Sequence, residues 1–129
     1  QSRCEENAKL ENVAAHVSFR AGDAAKLSFM NETFDGAVSN FVFHEVRGQK
    51  DKLALFQEML RVLKPGAAFV IQDTFYDKKV YGDINAFVEQ LRPRVKEIHF
   101  EDTRKPDYAP RFLNTPLVLG RMGVIWGRK

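Results

Sequence analysis

The chain has 129 residues, 44% of them hydrophobic and 29% charged, and 20 basic against 17 acidic side chains leave a formal net charge of +3. This is enough chain for one compact domain, and no window of ~18 uninterrupted apolar residues argues for a membrane span. The basic excess is too slight to point to nucleic acid. The polar opening, Gln1–Leu10, shows no secretory pattern, and the lone Cys4 excludes an internal disulfide and leans toward a cytoplasmic setting.

Residues 1–11 are rich in helix formers, with Asn12 as the stop. The alternation of Val17, Phe19 and Ala21 predicts a strand over 16–22. A loop follows to Glu32, with Leu27 and Phe29 turned inward, and Phe34–Asn40 reads as a short strand. From about Lys50, Leu53, Phe56, Leu60 and Leu63 recur at helical spacing, and Lys64-Pro65-Gly66 ends that helix because proline cannot continue it. Ala68–Ile71 is a strand of buried type, ending at Gln72-Asp73. Asp83 is positioned to cap a helix whose face is Ile84, Phe87, Val88 and Leu91, with Pro93 at its end. Val95–Phe100 and Leu117–Trp126 are the last strands, separated by a long proline-bearing loop. Strands alternating with helices predict an α/β fold with a largely parallel sheet, and the last two strands, having no helix between them, an antiparallel hairpin at its edge.

Two groups of residues carry chemistry. Gly22-Asp23-Ala24 stands at the carboxyl end of the first predicted strand, where open α/β sheets bind ligands. A carboxylate there accepts hydrogen bonds from an amino group or a ribose hydroxyl, although Gly-Asp is also an ordinary turn former. The run Ser39-Asn40-Phe41-Val42-Phe43-His44-Glu45 ends the second strand in an aromatic turn. Phe41 and Phe43 suit either a dry pocket wall or a core. His44 and Glu45 suit either a proton-transfer pair or, respectively, a satisfied turn histidine and a surface charge. A third run, Leu60-Arg61-Val62-Leu63-Lys64-Pro65-Gly66, reads as structural. The three histidines and one cysteine are scattered, so no metal site is predicted.

In this order and spacing, Gly22-Asp23-Ala24, Phe34-Asp35, Ser39-Asn40, His44-Glu45 and Leu60–Gly66 resemble class I S-adenosylmethionine-dependent methyltransferases, of the methyltransferase type 11-like kind; Ala67 stands where a second glycine is common. Residues 19–73 carry most of the likeness. The resemblance implies a partial Rossmann-like α/β sheet, mostly parallel with an antiparallel edge hairpin and helices on both faces, as one partial domain over 1–129. It implies S-adenosylmethionine as cofactor, with Gly22, Asp23 and Ala24 at the adenine side and Asn40 and Phe41 near the methionine portion. His44 and Glu45 are the catalytic candidates; the aromatic lining favours a small-molecule acceptor over nucleic acid, and no membrane partner is expected.

The family's Gly-x-Gly-x-Gly turn and the ribose-binding acidic residue do not occur in these 129 residues. The chain is therefore expected to begin just after that acidic residue and to be inactive by itself, with the parent protein the enzyme. The alternative is a non-catalytic binding or assembly module. Two family strands that belong between 17–22 and 34–40 are missing, so either 17–22 pairs with 34–40 or a second chain supplies a strand, giving a homo-oligomer by pairing or exchange.

Overall fold

The computed structural model describes residues 2–104, 115 and 120–129. Helix α1 (Ser2–Leu10) is followed by strand β1 (Phe34–Asn40), a one-turn 3-10 helix (Phe43–Glu45), helix α2 (Lys52–Val62), strand β2 (Leu63–Asp73), helices α3 (Lys78–Tyr81) and α4 (Ile84–Leu91), and strands β3 (Glu97–Asp102) and β4 (Gly123–Arg128). The sheet order is β1-β2-β4-β3.

The local signals account for the helix ends. Asn12 closes α1 with φ of 56°, in the left-handed region that asparagine tolerates better than most residues. Asp51 caps α2 by accepting from the amides of Leu53 and Ala54, and Asp83 caps α4 by accepting from Ala86 at 3.0 Å. Helix α2 ends at Val62, and the chain passes directly into β2. Pro65 pushes the residue before it to an extended conformation, and Gly66 sits at φ of 79°, so residues 64–67 bulge out between the pairs Phe34–Leu63 and Gly36–Ala68.

Strands β1 and β2 are parallel, β2 and β4 antiparallel, and β4 and β3 antiparallel. Three strands, β1, β2 and β3, thus point the same way, as the strand–helix alternation predicts. The last two strands form the expected antiparallel hairpin at the edge, β4 with β3, but the sheet is mixed rather than mostly parallel. Strand β4 inserts between β2 and β3 and runs against both, so parallel pairing is confined to β1–β2 and the edge belongs to β3. The insertion requires close approach at Gly127, where a Cβ would run into the Glu97 carbonyl. Strand β4 begins at Gly123; residues 117–119 of the predicted strand lie outside the described residues.

The strand expected over 16–22 does not form. Residues 17–22 have no regular structure, and the nearest pairing is an isolated bridge between Asp23 and Lys26. Alternation chooses a face for a strand but supplies no hydrogen-bonding neighbour, and no strand of the sheet extends to this segment. The first route above, pairing of 17–22 with 34–40, is therefore not taken, and β1 pairs on one side only among the described residues.

Helices α2 and α4 cover one face of the sheet. Ala67, Phe69 and Ile71 of β2, Ile125 of β4 and Ile98 of β3 pack there with Leu55, Phe56, Met59, Leu60, Phe87 and Leu91. Phe56 is the hub, its ring 4.9 Å from that of Phe43 and 5.4 Å from that of Phe87, both edge-on. Helices on both faces are not found among the described residues. On the other face Val38, Val70 and Trp126, aligned by register across three strands, are 83%, 42% and 38% exposed.

Candidate functional site

The carboxyl ends of β1 and β2 lie side by side, Asn40 against Gln72. Just beyond β1, Phe41 takes φ of 54° and donates its amide to the Gln72 carbonyl at 2.9 Å. This reversal throws Phe43 into the core and leaves His44 at the rim. Phe41 and His44 face each other edge-on, 6.2 Å apart. Asn40 and Phe41 are exposed, and the Asn40 amide has no hydrogen bond among the described residues.

Asp73, the last residue of β2, meets His44 there. It continues the inward alternation of Phe69 and Ile71, so its carboxylate is fully buried. Its Oδ1 lies 2.7 Å from His44 Nδ1 and accepts from the Thr74 amide at 2.7 Å, while Oδ2 accepts from the His44 amide at 3.3 Å. The outer ring nitrogen, Nε2, lies 3.3 Å from a carboxylate oxygen of Glu45; the side chains of His44 and Glu45 are 24% and 65% exposed. His44 and Glu45 are therefore brought together as expected, but the tighter and more buried partner of His44 is Asp73. Neither composition nor motif singled out Asp73. The usable signal is an acid at an inward position of a buried strand, which needs a partner.

Two more polar groups border this carboxylate. Burial pushes the Tyr81 phenol well above its ordinary value, and the nearby Asp73 charge adds to the shift. Among the described residues the Tyr81 hydroxyl has no hydrogen-bond partner. Lys52 is buried, with Nζ donating to the carbonyls of Val46 at 2.8 Å and Gln49 at 3.1 Å. Desolvation lowers its pKa, and the Asp73 charge partly offsets this. Through these bonds Lys52 ties down the loop that follows His44.

Gly22, Asp23 and Ala24 sit in a separate turn. Asp23 is exposed and accepts from the Ala25 amide through Oδ1 at 2.9 Å. A Cβ at Gly22 would meet no atom within 4 Å, so internal packing does not demand glycine there. Among the described residues no hydrogen bond joins this turn to Asn40 or Phe41. The loop that follows this turn is anchored to α2. Arg61 donates to the carbonyls of Leu27 at 3.0 Å and Phe29 at 2.8 Å and to Asn31 Oδ1 at 2.8 Å, and Glu58 accepts from the Leu27 amide at 2.7 Å. The Leu60–Gly66 run that reads as structural thus carries, in Arg61, the clamp for the loop after Asp23.

These polar groups suit the adenosine-type cofactor that the resemblance implies. Asp23 keeps a second carboxylate oxygen for an amino or hydroxyl donor, and the uncommitted Asn40 amide both donates and accepts. Among the described residues no group of three or more histidine, cysteine or acidic side chains is arranged to hold a metal ion. No helix of the described residues is long and apolar enough to cross a membrane.

Polar groups beyond the carboxyl ends of a parallel strand pair stand where open α/β sheets bind ligands. The family model for the methyltransferase domain matches residues 1–71, and the chain belongs to the class I S-adenosylmethionine-dependent methyltransferase family. A ubiquinone/menaquinone biosynthesis C-methyltransferase, UbiE, of Coxiella burnetii is 33% identical over 102 residues, which are 76% of this chain and 39% of that protein. The fold matches the cyclase SpnF with a TM-score of 0.66 at 20% identity, covering 99% of this chain and 61% of that one. A structure of a sarcosine dimethylglycine methyltransferase, so named provisionally, from Galdieria sulphuraria matches with a TM-score of 0.63 at 16% identity, covering 99% and 65%. The chain therefore spans less than half of that curated relative and under two thirds of either solved neighbour. At these identities the solved structures establish the fold alone.

Proposed function

We propose that this chain is the acceptor-side part of an S-adenosylmethionine-dependent methyltransferase whose acceptor is a small molecule. The observation that carries this reading is a histidine held by a buried carboxylate at the carboxyl ends of β1 and β2, in a chain of this family. The cofactor, when bound, supplies an electrophilic methyl group on a sulfonium with a good leaving group. The protein's work is then alignment, exclusion of water and, where the acceptor must lose a proton, its removal. Asp23 would accept from the adenine amino group, with Gly22 and Ala24 letting the backbone approach. Asn40 and Phe41 would border the methionine portion. His44 would take the acceptor's proton, with Glu45 beside it in solvent. A cytoplasmic setting fits the exposed free thiol of Cys4.

These 129 residues contain no Gly-x-Gly-x-Gly run, so we expect them alone to bind the cofactor weakly and to show no turnover. Titration with S-adenosylhomocysteine, followed by amide NMR, should give small shifts confined to residues 22–24 and 40–41. Shifts elsewhere, or none at millimolar ligand, would remove the cofactor-side assignment. Micromolar affinity in calorimetry would overturn the expectation of a weak site.

A second reading, a non-catalytic binding or assembly module, draws on the same lack of a glycine-rich turn and on the open edge of β1. The same fold serves other functions, as in the cyclase SpnF. Under the assembly reading a second copy pairs with β1 and gives a homo-oligomer. Sedimentation across a concentration series should then show a dimer, and a monomer throughout would sink it.

A further inference from the structure

We infer that Arg104, stacked on Tyr76 and locked there by Asp102, is the ledge on which the acceptor is recognised, and that it selects a neutral, planar aromatic ring. This rests on the methyl-transfer reading above for what is recognised, but the ledge itself stands on the geometry.

Strands β2 and β3 both end at the rim where His44 stands. The row that closes the sheet there is Asp73 of β2, Gly123 of β4 and Asp102 of β3. Asp73 meets His44, and Asp102 holds Arg104. Two strand spacings, about 10 Å, separate β2 from β3, and the residue between the two carboxylates has no side chain. Gly123 also makes room for Phe100, whose ring lies 2.6 Å from where a Cβ would stand. Phe100 in turn supports the Tyr76 ring, 5.6 Å away centre to centre. The Tyr76 amide donates to the Arg121 carbonyl at 3.1 Å, which ties the turn after β2 to the chain entering β4.

Arg104 lies on this support. Its guanidinium carbon is 3.5 Å from the centre of the Tyr76 ring. Asp102 accepts from Nε at 2.9 and 3.1 Å, from Nη2 at 2.6 Å and from the Arg104 amide at 3.0 Å. The side-chain bond from Arg104 chiefly holds the Asp102 carboxyl far below its usual range, so the pair is ionised at neutral pH. Burial first, and then the adjacent Asp102, raise the Tyr76 phenol, which stays neutral there. The Arg104 side chain is nevertheless 40% exposed. With Tyr76 over one face of the guanidinium, that exposure belongs to the other face and the outer edge.

A guanidinium is planar, weakly hydrated and stacks on aromatic rings. Asp102 offsets its charge, so an anionic acceptor gains little here over a neutral one. A neutral flat ring gains the stacking contact and gives up little hydration. A ring laid on Arg104 has His44 across the gap at Gly123, which is where a reacting hydroxyl or amine on that ring would have to reach. Arg20 also lies over a ring, that of Phe29, but at 5.6 Å and with no carboxylate gripping it among the described residues.

The test uses the unaltered chain, uniformly isotope-labelled for NMR, with phenol and cyclohexanol as probes. Both carry one hydroxyl on a ring of the same size, and only phenol is flat. The Arg104 Nε–Hε signal is assigned by its loss in Arg104→Lys. Phenol should move this signal upfield and saturate in the millimolar range, and cyclohexanol should bind at least about fivefold more weakly. Arg104→Lys keeps the charge and loses the plane, so the phenol-induced shifts of the Thr103 and Tyr76 amides should fall by about fivefold at fixed phenol. Arg92→Lys, which alters an exposed arginine paired with Glu89, should leave them unchanged. Benzoate should bind no more tightly than phenol. Equal binding of phenol and cyclohexanol, no saturable shift with phenol, undiminished shifts in Arg104→Lys, or benzoate as the tighter ligand would each overturn the inference. No cofactor enters this experiment. Failure of phenol to bind would remove the acceptor class and leave methyl transfer standing, whereas a failed cofactor titration would sink methyl transfer and leave the ring-binding ledge.

Discussion

Strand β2 presents Ala67, Phe69, Ile71 and Asp73 to one side of the sheet and Ala68, Val70 and Gln72 to the other. The first set is buried under α2 and α4. The second lies in a row that includes Val38, Val70 and Trp126, all partly open to water, with His99 stacked on Trp126 at 4.1 Å, ring centre to ring centre. The same strands therefore carry two different kinds of surface. On the covered face, alternation places even a carboxylate, Asp73, in the dry interior, where it must find a donor and finds His44. On the bare face the same alternation leaves a row of apolar side chains that no helix of the described residues covers. Burial is a property of what packs against a strand, and not of the strand.

Substitutions on the two faces should separate cleanly. The largest effect is expected at the hub of the covered face. Phe56→Ala should cost about 3–5 kcal/mol in chemical denaturation, since its aromatic neighbours cannot collapse into the space. Next comes the clamp that holds the loop after Asp23 to this layer. Arg61→Ala should cost about 1.5–3 kcal/mol and speed hydrogen exchange at the Leu27 amide, whose acceptor Glu58 loses its orienting partner. Gly127→Ala should cost about 1–3 kcal/mol by forcing β3 and β4 apart at Glu97, with a fall in melting temperature as the readout.

A smaller, pH-dependent effect follows from Glu58. The hydrogen bond from Arg61 chiefly, helped by the Leu27 amide, holds its carboxyl below the ordinary value of 4.5 against an opposing effect of burial. A carboxylate whose folded pKa is depressed binds fewer protons folded than unfolded. Its contribution is therefore complete above the ordinary pKa and is lost as pH falls through the depressed one. Melting curves should show this acid slope in the unaltered protein and a shallower one in Arg61→Ala. The smallest effect belongs to the bare face. Val38→Thr should change stability by no more than about 0.5 kcal/mol. A loss of ~1.5 kcal/mol or more there would show that a second copy covers this face in solution, and the contrast between the faces would vanish.

Much of this was legible in the residues alone. The cap Asp83, the stop at Asn12 and the break after α2 are local effects, decided within a few residues by side chain-to-backbone bonds and by allowed backbone angles. The adjacency of Asn40, Phe41 and His44 was legible for the same reason. The 16–22 segment was misread because its alternation resembles that of β1, and only a neighbouring strand separates the two cases. Asp73 was missed because its partner is 29 residues away in sequence.

By itself the sequence determined the family, the order of helices and strands apart from the 16–22 segment and the short α3, the helix ends and the aromatic turn that carries His44, because each depends on local bonding or on a motif of short range. Tertiary structure alone decided that β4 would enter between β2 and β3, that one face of the sheet would be covered and the other left open, and that the carboxylate closing β2 would become the partner of His44. Those outcomes depend on which surfaces meet across long stretches of chain, where hydrogen-bond pairing and desolvation choose among arrangements that the local pattern leaves equal.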